Sequence, residues 1–142
     1  MGSSAPTTRT RFALPEAIQS FEAAVAAGQR TGRPYESFNA YTNWAYAEIL
    51  RGRLHQAYSL CQHVLSLADQ SGLLSKGLPV LAYAYATLSV VQREWNQLEA
   101  AVASARQSLV LAEQWKQADT LHFTLTCLAE ALAAAGDLGA AF

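Results

Sequence analysis

REWNQLEAA, residues 93–101, decides the fold of this chain. It breaks an alanine-rich helical pattern with Trp95, Asn96 and acids, and the same break recurs elsewhere. Shifted back by 44 residues, Glu94 to Val102 lies over LRGRLHQAY, and shifted forward by 40 it lies over AAGDLGAAF. Leu14, Leu54, Leu98 and Leu138 are equivalent at offsets of 40, 44 and 40, with Ala17, Ala57, Ala101 and Ala141 in register beside them. Further along come Ile18, Tyr58, Val102 and Phe142, then Phe21, Cys61 and Ala105, then Val25, Leu65 and Leu109, then Gly28, Ala68 and Ala112. This spacing keeps all of them on one face of a helix, so each unit holds a helix with one buried stripe.

A partner helix precedes each stripe. Twelve residues before the repeated alanine stands another small residue: Ala45 before Ala57, Ser89 before Ala101, Ala129 before Ala141. Small residues on facing helices permit close antiparallel packing, and Gly52, Asn96 or Gly136 can take the left-handed conformation that the turn requires. Asn96 therefore stands where other units use glycine, Trp95 covers the hairpin end, and Leu98 with Ala101 opens the next stripe.

Outward from the repeat, alanine, leucine, glutamate and glutamine dominate, and β-branched residues form no alternating runs. The pattern predicts helices near 15–30, 35–51, 54–71, 76–94, 97–117 and 119–135. TGRP at 31–34, SG at 71–72 and GD at 136–137 separate them, and Pro15 suits a first helical turn. The expected organisation is a leader or disordered terminus at 1–12 and one repeat domain at 13–142. That domain divides into a lone second helix (13–33), two repeats (34–73 and 74–117) and a truncated repeat (118–142).

The 142 residues suit one domain, and a formal charge of −1 gives the chain no general attraction for nucleic acid or an anionic membrane. Direct nucleic-acid binding is thus disfavoured. Cys61 and Cys127 are too few for a disulfide framework and fit a reducing compartment, so the cytoplasm is the expected location. No run reaches the roughly 18 apolar residues of a membrane span. MGSSAPTTRTR, at residues 1–11, is followed by no apolar signal-peptide core.

A hairpin with small residues on its first helix, a Gly or Asn turn and an early alanine on its second resembles the tetratricopeptide repeat (TPR). The period of 40 to 44 exceeds the standard 34 and implies longer helices. More narrowly, EWNQLEAAVASARQSLVLAEQW (94–115) and the closing LAEALAAAGDLGAAF resemble the sensor array of MalT-like regulators of the LuxR family. The resemblance covers about residues 36–142. It implies an all-α fold of tandem antiparallel hairpins stacked as a right-handed superhelix whose first helices line the concave surface. In that family an ATPase module precedes the array and a helix-turn-helix domain follows. Neither a GxxxxGK[ST] phosphate loop nor a basic recognition helix is present here, so the resemblance implies an excised sensor region. A stand-alone TPR scaffold binding a peptide or partner protein is the alternative.

Enzymatic chemistry finds no support in the residue pattern, and no cofactor or metal is implied. His55 and His63 are eight apart on one helix, too far for a shared ion, and His122 is isolated. Cys61 falls on a buried stripe, where a thiol is a small apolar filler, and no His is placed to activate Cys127. Glu94, Glu99, Glu113, Asp119 and Asp137 lie near helix ends, where acids cap or stay solvated. Glu130 is the single acid of its helix beyond the first turn.

The expected binding surface is the concave groove. In straight repeat register its rows are Asn39, Tyr83 and Phe123; Thr42, Ala86 and Thr126; Asn43, Thr87 and Cys127; Tyr46, Val90 and Glu130. This surface suits a protein or a small polar effector. It lacks the Lys and Arg cluster that clamps a peptide carboxylate. The helix around 78–91 is apolar on nearly every side, so Tyr83 can equally be core or interface. The final hairpin should leave Leu125, Leu128 and Leu132 uncovered and favour self-association through uncapped repeat ends.

Overall fold

The computed structural model describes residues 6–32, 37–76, 78–115 and 118–136, and within them every element is helical. The helices are α1 (Pro6–Thr31), α2 (Phe38–Leu50), α3 (Leu54–Gln70), α4 (Pro79–Glu94), α5 (Leu98–Trp115) and α6 (Ala118–Ala134), with a 3-10 turn at Leu74–Lys76. The α2/α3 and α4/α5 hairpins pack side by side through α3 and α4. Helix α1 packs on α2, while α6 packs on both α4 and α5. The fold is an all-α, TPR-like array of antiparallel hairpins.

Local chemistry sets the turns. After α2, the Arg53 N–H donates to the Glu48 carbonyl (2.8 Å), and after α4 the Gln97 N–H donates to the Gln92 carbonyl (2.8 Å). These bonds close the helix ends and need one residue in left-handed conformation at the turn. Gly52 supplies it at φ 78° and Asn96 at φ 59°, so the expected equivalence of these two positions holds. The start of α4 falls at Pro79 rather than near 76, because a residue before proline is pushed out of helical geometry and Leu78 has ψ 144°.

The N-terminal expectation needs correction. Helix α1 begins at Pro6, so it runs through much of the expected leader at 1–12, and Pro15 lies inside it rather than at its first turn. Proline marks a boundary only where the chain ahead of it is not already helical. Residues 1–5, 33–36, 77, 116–117 and 137–142, which include parts of TGRP and GD and the equivalents Leu138, Ala141 and Phe142, lie outside the described residues.

The repeated small residues meet as their spacing requires. Ala45, Ala57, Ser89 and Ala101 are buried, and the Ser89 hydroxyl donates to the Ala101 carbonyl at 2.7 Å. Ser108 similarly donates to the Ala82 carbonyl (2.7 Å), a second clasp between α5 and α4. Helix α4 is the centre of the array: Leu81, Ala82, Ala84, Ala86, Leu88 and Val91 are all buried. Trp95 is half-buried, and it covers the neighbouring hairpin, with its ring 4.6 Å from His55 and 5.3 Å from Tyr58 of α3.

Candidate functional site

Three first helices converge on one open cleft. Thr42, Asn43 and Tyr46 come from α2, Tyr83 and Thr87 from α4, and Phe123 from α6, around a volume of about 240 Å3. Its framework is aromatic. Tyr83 stacks on Phe123 at 5.6 Å between ring centroids, and Tyr46 meets the same ring edge-on at 6.3 Å. Such offset and T-shaped pairs match the ring quadrupoles. Tyr83 is half-buried, and its phenol oxygen accepts a hydrogen bond from the Thr120 hydroxyl (3.2 Å). It is thus packed against another helix and also lines the cleft. Thr42 is buried with its hydroxyl donating to the Asn39 carbonyl (3.0 Å), whereas Asn43 and Tyr46 are exposed.

The remaining expected groove residues fall elsewhere. Asn39 is exposed on α2 and Thr126 on α6, where its hydroxyl donates back to the His122 carbonyl (2.8 Å); neither lines the cleft. Glu130 is outside the lining too, and its Oε2 accepts from Arg93 Nη1 at 2.7 Å. The cause is stagger. Tyr83 bonds to Thr120 and Arg93 to Glu130, pairs 37 residues apart where the repeat offset is 40. Tyr46 meets Phe123 rather than Glu130, its equivalent two repeats on. Neighbouring first helices are displaced by up to about one turn, so the true rows cross the groove diagonally, as per-repeat rotation in a solenoid requires.

No lining residue carries a formal charge. The ion pair between Arg93 of α4 and Glu130 of α6 has side chains 24% and 49% exposed. Behind it lies buried Cys127. Burial and then the Glu130 carboxylate push its thiol up to about 11, with Arg93 drawing it partly back. Burial alone pushes Cys61 up to about 12. Both thiols stay protonated near neutral pH and lack the thiolate that nucleophilic chemistry needs. Among the described residues no group of three His, Cys, Asp or Glu side chains is placed to hold a metal ion. Nor is any helix among them long and apolar enough to cross a membrane.

Sequence reasoning missed Arg93. The repeat alignment places it one turn beyond Val90, the equivalent of Glu130, so a search along the neighbouring helix for an opposite charge one turn away would have found it. It also missed the buried acid Glu48, whose Oε2 accepts from the Trp44 indole (3.2 Å) and whose Oε1 lies 3.3 Å from Arg51. The equivalent of Glu48 is Gln92, also buried, which accepts from Ser104 (2.7 Å).

A family model described as the MalT-like TPR region matches residues 4–142. No curated protein and no solved structure matches the chain.

Proposed function

The chain belongs to the MalT-like TPR family, and on that premise we propose that it is the sensing and docking region of a transcription regulator, with its ligand seated in the α2/α4/α6 cleft. One observation carries this reading: three aromatic rings from three successive first helices converge beside two hydroxyls and an amide, and still leave the cleft open. A core would have closed it. At about 240 Å3 the cleft is smaller than the roughly 300–1000 Å3 of drug-sized pockets, so it accepts one small solute or one side chain of a larger partner. The neutral lining offers a charged group no compensation for lost water, which favours an uncharged, hydrogen-bonding ligand at the point of contact.

Exposed Leu50, one turn beyond Tyr46, extends the apolar strip past the cleft and supports a peptide or protein segment as a second reading. Self-association belongs to the same picture, through apolar side chains that α5 and α6 present to solvent.

The test is a ligand-detected magnetic resonance screen with neutral polar solutes and uncharged short peptides, followed by titration of each hit. Tyr83→Ala and Thr87→Val should weaken binding about 5- to 30-fold, as a loss of about 1–2 kcal/mol implies. Circular dichroism should remain helical. Unchanged affinity in both variants, with unchanged helicity, would remove the cleft as the site.

A further inference from the structure

Thr87 departs from the other threonines of the array. Thr31, Thr42, Thr124 and Thr126 each turn the side-chain hydroxyl back to a carbonyl three or four residues earlier on the same helix, and Thr120 donates across to Tyr83. Back-bonding of this kind is the usual resting place of a helical threonine hydroxyl. Thr87 is only 2% exposed on α4, yet among the described residues its hydroxyl has no hydrogen-bond partner. Nor is that oxygen sealed off: among the described residues Glu48 Oε1 is the one fully enclosed side-chain N or O atom without a hydrogen bond. Thr87 lines the α2/α4/α6 cleft. Buried polar groups are nearly always satisfied, so the partner of this hydroxyl has to come from whatever enters the cleft.

The other polar groups narrow the chemistry. Thr42 already donates to the Asn39 carbonyl, and the Tyr83 phenol oxygen already accepts from Thr120. Asn43 and Tyr46 are exposed and keep their contact with water. One sheltered hydroxyl is thus free, in a wall formed chiefly by the rings of Tyr46, Tyr83 and Phe123. A carboxamide seated there has a carbonyl and two N–H groups to match against that single hydroxyl, and a polyol has several hydroxyls. Each polar group buried without a partner costs affinity. A ring with one hydroxyl meets both demands: its π-face and edge join the aromatic cluster, and its O–H pairs with the free hydroxyl. It is also uncharged near neutral pH, as the neutral lining requires.

We propose that the cleft recognises a neutral phenol, with its ring packed against Tyr46, Tyr83 and Phe123 and its hydroxyl bonded to Thr87 Oγ1. Phenol recognition rests on the cleft being a ligand site. The ring arrives as a free phenol or as the tyrosine side chain of a partner.

The test compares p-cresol with toluene, which differ by one hydroxyl, in magnetic resonance titrations of the full chain that follow the ring signals of Tyr46, Tyr83 and Phe123. p-Cresol should bind roughly 5- to 10-fold tighter than toluene, as one net hydrogen bond implies. Thr87→Val should erase that preference and leave toluene affinity unchanged, and Thr87→Ser should keep it. Because the hydroxyl removed has no internal partner, Thr87→Val should melt no earlier than the wild type. A lower melting temperature would show a bond within the protein and overturn the proposal. Equal affinities for the two solutes in the wild type, or a preference that survives in Thr87→Val, overturn phenol recognition and leave the cleft as a site. Silence of all three rings toward both solutes removes the cleft reading as well. N-acetyl-tyrosinamide separates the two sources: binding tighter than that of p-cresol assigns a tyrosine side chain, and weaker binding assigns a free phenol.

Discussion

Asn96 holds a left-handed backbone conformation that residues with a side chain seldom adopt. Among the described residues it is the single non-glycine at positive φ, in the turn position that Gly52 occupies in the preceding hairpin. A β-carbon at Gly52 would meet nothing within 4 Å, so conformation and not crowding selects the residue there. Asparagine enters left-handed geometry at lower cost than other side chains. Asn96→Gly should therefore be neutral or slightly stabilising, whereas Asn96→Val should cost about 1–2 kcal/mol. Urea unfolding of the pair checks this, and equal midpoints would show that the turn relaxes to another geometry.

The α4/α5 hairpin depends on how near its two backbones approach. The 2.7 Å bond from Ser89 to the Ala101 carbonyl requires α5 to present main chain, with only a methyl group, to α4 at that level. Ala101→Leu must force the helices apart or strain a rotamer, a penalty of about 1–3 kcal/mol. The melting temperature should fall by several degrees. Ala129, the equivalent of Ser89 in the last hairpin, is exposed on α6, so Ala129→Leu should change stability by less than about 0.5 kcal/mol. Equal melting temperatures for the two variants would mean the Ser89 contact is not tight.

At the scale of the whole molecule, a repeat array is stabilised by contacts between neighbours, and α4 touches α2, α3, α5 and α6. The outlying side chains are less well covered. Val110 on α5 is 51% exposed and Leu125 on α6 is 50% exposed. Leu128 is half-buried, and Leu132, expected to be uncovered, is buried instead. Multi-angle light scattering should show concentration-dependent association of the chain, and Val110→Glu with Leu125→Glu should return it to monomer. A monomer at every concentration in the unsubstituted chain would dismiss these residues as a contact surface.

The repeat, the helix pairs and the turn chemistry were legible in one sequence because each is a local or periodic signal. Ala57 and Ala101 recur because every hairpin needs a small residue at the same level, and Asn96 stands in for Gly52 because every turn needs the same dihedral angle. Repeat register also brought six residues of the cleft into view, Thr42, Asn43, Tyr46, Tyr83, Thr87 and Phe123. Asn39, Thr126 and Glu130, placed in the same rows, do not line that cleft, for the register carries no information on how far one first helix slides along the next. Side-chain packing across separate hairpins sets that displacement. Tyr46 thus reaches Phe123, Arg93 takes Glu130, and Thr120 fixes Tyr83, pairings that only the tertiary structure decides.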